Sequence, residues 1–447
     1  MKLSIILFSS CLALLFSCKD NESIDSSTNS KDFYKTTGDP AFPKAQGFAK
    51  YAKGGRKGEV LFVTNLNNDG NGSLRKALEY TKPRTIIFNV GGVIELNNNI
   101  SINHPFVTIA GQTSPGNGII LKGAGLYINT NDVIIQHIRI RPGDGSTGQN
   151  YDDRDGIDIG KDAQDVILDH ISVQWAIDEN ISFWDEPINI TVQNSIIGEA
   201  LHNSKHSKGA HSMGILIGDN SKNISILNNL FISNNDRNPR LKGGAEASFV
   251  NNIVYNWGMI AAGGSIDYTN SPILANITNN IFKKGPNSSN GFFDIDNIDG
   301  SNSKIYLDGN FGDPQELVDY NANSATYKNT YSFLVSQTVI PNLNTQISSG
   351  SNFDVSLLNH IGASKPKRDL VDARLITEYQ TETGFIKDIP GIYDNTPYVS
   401  SIMDDDKDGI DDSWELSNGL DPSNINDGSE IKTGFTYTNL EVYLQSL

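Results

Sequence analysis

Val166-Ile167-Leu168-Asp169-His170 and Ile190-Thr191-Val192-Gln193-Asn194 follow one five-residue template. Five more stretches share it, beginning at Val107, Val133, Ile224, Ala247 and Ala275. In each, a short β-rich run ends on a polar or small residue, and another apolar pair usually follows. The copies start 23 to 34 residues apart. Irregular spacing above a base period is the mark of a β-solenoid whose coils carry loops of different length. A five-residue strand cannot bury its own face, but it can when stacked on like strands above and below. Asn194, Asn228, Asn251 and Asn279 close four of the copies, and asparagine tolerates left-handed backbone geometry and can hydrogen-bond along a stack. An antiparallel sandwich would instead show hairpin turns every ~8–12 residues. The repeat therefore predicts an all-β chain folded as a parallel β-helix. Two loops exceed the base period, Ile140 to Asp155 and Glu199 to Met213. They are expected to project from one face and to carry a site.

The remainder of the 447 residues is arranged around this repeat. The β-helix is expected over 37–300. Its opening turns lie in 59–100, where Asn67 to Leu78 pairs a tight turn with a short helix that can cap the open end. Residues 301–400 show no clear repeat and are expected to wrap over the helix. Residues 1–18 read as an export signal: Lys2, an apolar run from Ile5 to Phe16, then Leu15-Phe16-Ser17-Cys18. This resembles a bacterial lipoprotein signal with Cys18 as the lipidated residue, and cleavage at an ordinary secretory site is the alternative. The polar stretch 19–36 reads as a tether. Cys11 leaves with the signal, so the mature domain has no disulfide. The expected location is the outer membrane or the outside of the cell, as a monomer whose membrane contact is the lipid anchor. The net charge of −17 argues against nucleic acid and anionic membranes as partners. It would repel an anionic polymer too, so such a substrate requires local cations.

Three constellations on the long loops carry candidate chemistry. Asp152-Asp153-Arg154-Asp155-Gly156-Ile157-Asp158 is followed one coil later by Asp178-Glu179. On an extended segment Asp153 and Asp155 point the same way, and with Asp178 they suit a hard cation such as Ca²⁺. An ordinary solvated acidic turn reads equally well. The stretch Gly198 to Ser212 holds His202, His206, His211, Lys205 and Lys208. The lysines disfavour Zn²⁺, and the loop suits an anion. Asn235-Asp236-Arg237-Asn238-Pro239-Arg240-Leu241-Lys242 is a fixed basic patch; its bland alternative is a solvated turn, or arginines paired to acids. Near the C-terminus, Asp404, Asp406, Asp408, Asp412 and Glu415 occupy positions 1, 3, 5, 9 and 12 of an EF-hand-like loop with Gly409 at the turn. A structural Ca²⁺ site in residues 401–447 is expected.

These residues, with Pro40 to Phe48, Gly72-Ser73-Leu74-Arg75, Ile140-Arg141-Pro142-Gly143-Asp144, Trp175 to Glu179, His206-Ser207-Lys208-Gly209 and Arg237-Asn238-Pro239-Arg240, resemble the pectate lyase family, in particular its Bacteroidetes-type lipoprotein forms. The resemblance covers about residues 40 to 260. It implies a right-handed parallel β-helix that cleaves polygalacturonate by β-elimination to unsaturated products. Arg237 would be the base and Lys208 would bind the substrate carboxylate. Arg240, Lys242, His206 and Lys205 would bind substrate, with the work of Arg240 and Lys242 undivided. Asp153, Asp155 and Asp178 match the family's Ca²⁺ carboxylates; the fourth position falls near Ser182, and Glu179 would replace it. A polygalacturonase-like hydrolase and a non-catalytic polysaccharide-binding surface protein are the alternatives.

Overall fold

The computed structural model describes residues 38–266, 271–289, 293–296, 302–312, 332–341, 353–432 and 434–447. The export signal, Cys18 and the whole of the tether lie outside them. Three parallel sheets of eleven, eight and ten described strands run the length of the chain. One exception is Tyr398–Val399, which pairs antiparallel with the first strand of the third sheet. The seven template copies stack in register in the first sheet. Val107 pairs with Val133, Val133 with Val166, Val166 with Ile190, Ile190 with Ile224, Ile224 with Ala247 and Ala247 with Ala275. Their inward side chains form one continuous apolar core.

The turn after each strand explains the residue that ends the template. His137, His170, Asn194, Asn228, Asn251 and Asn279 all have φ between 52° and 57°. The hydrogen-bonded ladder is built largely by the residue that follows. Buried Asn229 donates through Nδ2 to Asn252 Oδ1 at 3.0 Å, Asn252 to Asn280 at 3.1 Å, and Asn280 to Asn310 at 2.9 Å. The left-handed position bends the chain, and the side chain of its neighbour satisfies the backbone of the preceding coil: Asn252 Oδ1 accepts from the Asn229 N–H at 2.9 Å and its Nδ2 donates to the Ile226 carbonyl at 2.8 Å.

The opening end is capped as expected. The Ser73 hydroxyl accepts from the Lys76 N–H, and Leu74, Ala77 and Leu78 of the helix join the core. Residues 41–52 form a strap across the outside of the first sheet. Ala41, Phe42, Ala45, Ala49 and Ala52 pack on Ile134 and Ile167. The strap's Phe48 and Ala49 N–H groups each donate at 3.1 Å, to Ser225 Oγ and Thr191 Oγ1. At Gly47 an added Cβ would stand 2.5 Å from Thr191 Oγ1, so only glycine lets the strap lie flat.

The solenoid runs past residue 300, where the sequence put its end. Strand Lys304–Asp308 pairs with Leu274–Thr278, and Leu334–Val335 pairs with it in turn. The helix Leu370–Thr381 does wrap over the coils, packing Val371, Leu375 and Tyr379 onto Ile196, Leu230 and Ile253. Its start is bolted down by the buried arginine of the Ile140-Arg141-Pro142 motif. Arg141 pairs with Asp369 and, at 3.0 Å, with Asp372, which also accepts from Ser172 Oγ at 2.6 Å. Breaking a buried pair leaves an uncompensated charge, a cost of about 3–5 kcal/mol. Asp372→Ala is therefore expected to lower the unfolding free energy by about that amount in urea titration. A loss below about 1 kcal/mol would mean that Asp369 alone holds the arginine.

Candidate active site

Four successive strands of the second sheet form the floor of a groove: Ile157–Ile159, Glu179–Phe183, Met213–Ile217 and Arg240–Lys242. Because the coils stack, residues far apart in sequence meet there. The groove has a volume of about 520 Å³. Asp152, Asp153, Asp155, Asp158, Asp178 and Glu179 line it together with Lys208, Arg237 and Lys242. Six carboxylates thus face three cations.

The carboxylates are not equivalent. Oxygen atoms of Asp155, Asp178 and Glu179 lie within 4.8 Å of one another. Asp155 accepts from the Glu179 N–H at 3.0 Å and from the Ser182 hydroxyl. Burial, and then the charge of Asp178, push the Asp155 carboxyl well above the ordinary carboxylate range. Burial likewise lifts Asp158 to about 6. At Asp178 burial works against ionisation, but a hydrogen bond from His211 and the nearby charges outweigh it, and the net shift is downward. His211 Nε2 stands 3.3 Å from Asp178 and its ring stacks on His206 at 3.7 Å.

The basic side differs from the linear motif. Arg237, in left-handed geometry at φ 61°, contacts the buried Glu179 carboxylate. Lys242 Nζ donates to Ser265 Oγ at 3.1 Å. Lys208 is exposed at the groove's rim. Three expected substrate ligands stand off the groove. Lys205 reaches the Asp144 carbonyl at 2.6 Å and lies over Tyr151. His206 is buried behind His211, with Nδ1 accepting from the Lys208 N–H at 3.0 Å. Arg240 points to Asp236 at 4.0 Å.

Asp153 also departs from expectation. Residues 151–153 form a 3₁₀ turn rather than extended chain, so the alignment of Asp153 with Asp155 is lost, and Asp153 remains exposed with Asn150 as partner. Glu179 takes the third place in the cluster. Ser182 is paired in register with Asp158, and its hydroxyl lies 3.4 Å from that carboxylate. The acid absent from one strand is present on its neighbour. The sequence places Asp158 and His211 in its candidate constellations but gives neither a role, and it passes over the half-exposed Trp184 at the groove wall. Its i, i+3 offset from Asp155 hides Asp158 from a strand-period search, because Asp155 lies in the turn before the strand.

At the C-terminus, Asp406, Asp408 and Glu415 lie together, and Asp404 is not among them. Asp404 accepts from the Gly409 N–H at 3.1 Å. Asp412 does not join them: its carboxylate caps the Asp405 N–H at 3.0 Å.

Fold and groove together define a class, the parallel β-helix proteins with a mixed acidic and basic groove on one sheet. No family model matches the chain. A probable pectate lyase C from Neosartorya fischeri is 39% identical over 431 residues, covering 91% of this chain and 93% of the relative. Among solved structures, jun a 1, the major allergen from cedar pollen, superposes with a TM-score of 0.52 at 20% identity, over 71% of this chain and 92% of that one. A pectate lyase bound to hexasaccharide gives 0.52 at 16% identity, over 73% and 99%. The chain belongs to the pectate lyase family and is an enzyme of that class. Its fold is the right-handed parallel β-helix of these structures.

Proposed function

We propose that the enzyme cleaves α-1,4-linked polygalacturonate by calcium-assisted β-elimination, leaving unsaturated oligogalacturonides. The observation that carries this reading is Arg237 in one groove with the Asp155, Asp178 and Glu179 carboxylates. The donor set fits Ca²⁺, being all oxygen and partly buried. Asp155, Asp178 and Glu179 would hold the ion, with Asp158 beside them. Calcium bound there would supply positive charge for the substrate carboxylate and offset Glu179. A groove with six carboxylates against three cations repels an anionic polymer without such an ion.

The chain's own groups account for the rest. Arg237 takes the proton on C5, alpha to the uronate carboxylate, and the electron pair expels the 4-linked sugar. A carboxylate against a guanidinium favours its charged form, so Arg237 accepts a proton only when Glu179 is engaged elsewhere. Lys208 and Lys242 grip the uronate carboxylates as point charges. Trp184 offers an apolar face to a sugar ring. From the N-terminal sequence we further propose that the protein works outside the cytoplasm as a monomer, held at the membrane by a lipid on Cys18.

On polygalacturonate, ultraviolet absorbance of unsaturated uronides is expected to rise with calcium and to stop on chelation. New reducing ends without that absorbance would mean hydrolysis and would overturn the elimination chemistry.

A further inference from the structure

The C-terminal module contains a second cluster of acids, remote in sequence from the groove. Carboxylate oxygens of Asp406, Asp408, Glu415 and Asp427 lie within 4.8 Å of one another. Glu415 is 0% exposed, and neither of its oxygens has a hydrogen-bond partner among the described residues. Asp408 Oδ2 and Asp427 Oδ1, on residues 4% and 5% exposed, are orphaned in the same way. Their other oxygens are used. Asp408 Oδ1 accepts from the Ile410 N–H at 2.9 Å, and Asp427 Oδ2 from the Asp421 N–H at 3.0 Å. Each of these three buried residues thus keeps at least one oxygen without a partner among the described residues. Dry carboxylates at this range repel, and an unpaired buried charge is strongly disfavoured. The backbone is shaped to bring them together: a Cβ on Gly428 would stand 2.1 Å from Asp408 Oδ2.

We propose that Asp406, Asp408, Glu415 and Asp427 bind one calcium ion, with Asp427 in place of Asp412 closing the site, and that this ion clamps the module to the opening coils of the solenoid. All donors are oxygen, as a hard cation requires. The clamp follows from what each half of the site holds. Ile410, inside the loop, packs with Leu440, Tyr443 and Leu444 on Ile87 and Ala110 of the first sheet. The Asp427 carbonyl accepts from Asn439 Nδ2 at 2.8 Å, at the start of the helix Asn439–Ser446 that carries those side chains. Glu441 of the same helix pairs with Arg56 at 2.7 Å. The ion therefore joins the loop to the helix, and both of them rest on the solenoid.

The test uses the full chain and Tb³⁺ luminescence sensitised by Trp414, the neighbour of Glu415. Signal lost in Trp414→Phe belongs to this site, and signal that remains belongs to the groove with Trp184. Asp427→Asn is expected to weaken the Trp414-sensitised binding by at least about tenfold, the smallest loss usual for a changed metal site. It should also remove most of the Tm rise that calcium gives in Asp155→Asn, where the groove contributes least. Asp412→Asn should leave both unchanged. Unchanged binding in Asp427→Asn, or its loss in Asp412→Asn instead, would overturn the assignment. Should Asp427→Asn fail to fold, limited proteolysis of the unaltered chain decides. Calcium is expected to protect residues 401–447 from cutting, equally in Asp155→Asn. Cutting there that ignores calcium would overturn the clamp. None of these readouts depends on the lyase reaction.

Discussion

Arg237→Ala is expected to lower kcat on polygalacturonate by about 10³-fold or more, within the range that a positioned proton acceptor contributes. Among the described residues, the Arg237 side chain is the basic group that touches the buried Glu179 carboxylate while opening onto the groove. Its removal takes away the proton acceptor and also strands Glu179. Loss of a partner from a buried pair costs about 3–5 kcal/mol, so Arg237→Ala should also melt at a lower temperature. That fall could be mistaken for the cause of inactivity. Arg237→Lys separates the two, because it keeps a positive charge beside Glu179 while displacing the nitrogen that receives the proton. It should retain most of the stability and still lose about 10²-fold in kcat. Stopped-assay turnover and thermal melts on the same preparations supply both readouts. Turnover near the unaltered level in both variants would remove Arg237 from the role of base.

Asp155→Asn is expected to raise the calcium needed for half-maximal turnover by about 10–100-fold. The second consequence has the opposite sign. Burial and the adjacent Asp178 hold the Asp155 carboxyl well above its ordinary range. A carboxyl whose folded-state pKa is raised adds stability at low pH, and loses it as pH climbs through that folded value. At neutral pH, without calcium, Asp155 is thus a liability that asparagine relieves. The ion-free variant should melt higher than the unaltered chain near neutrality, with the difference vanishing in acid. A variant that needs more metal but melts higher without it is hard to explain by damage to the fold. An unchanged calcium requirement would move the ion away from Asp155.

The solenoid was legible because its physics is periodic. Each template strand buries the same positions, so the first residues of all seven copies stack where the sequence placed them. The site was legible only in part, because its members sit where the period breaks. The turn at 151–153 carries Asp153 out of the cluster that linear spacing assigned it to. Ser182 looked like a gap because a strand read alone does not reveal that Asp158 is its cross-strand partner. The Trp175 to Glu179 motif divides at the corner of a coil. Asp178 and Glu179 enter the groove, whereas Trp175 is buried among the residues under the wrapping helix. Lys205 and Arg240 show the limit of counting charges in a loop: each reaches a local partner outside the groove. Asp427 lay beyond the twelve-residue motif and had no spacing rule to announce it.

The strap at 41–52 has a consequence in time. Its Phe48 N–H rests on Ser225, 177 residues later in the chain, and its Ala49 N–H on Thr191, 142 residues later. A chain emerging from its N-terminus carries the strap long before the surface that receives it exists. Coils can assemble one upon another from local contacts, but the strap seats only after the coil bearing Ser225 is in place, and it closes a long loop when it does. In the finished fold Phe42, Ala45 and Ala49 cover Ile134 and Ile167 on the first sheet. The earliest segment of the domain is therefore among the last to settle, and its docking records that the middle of the solenoid has been completed.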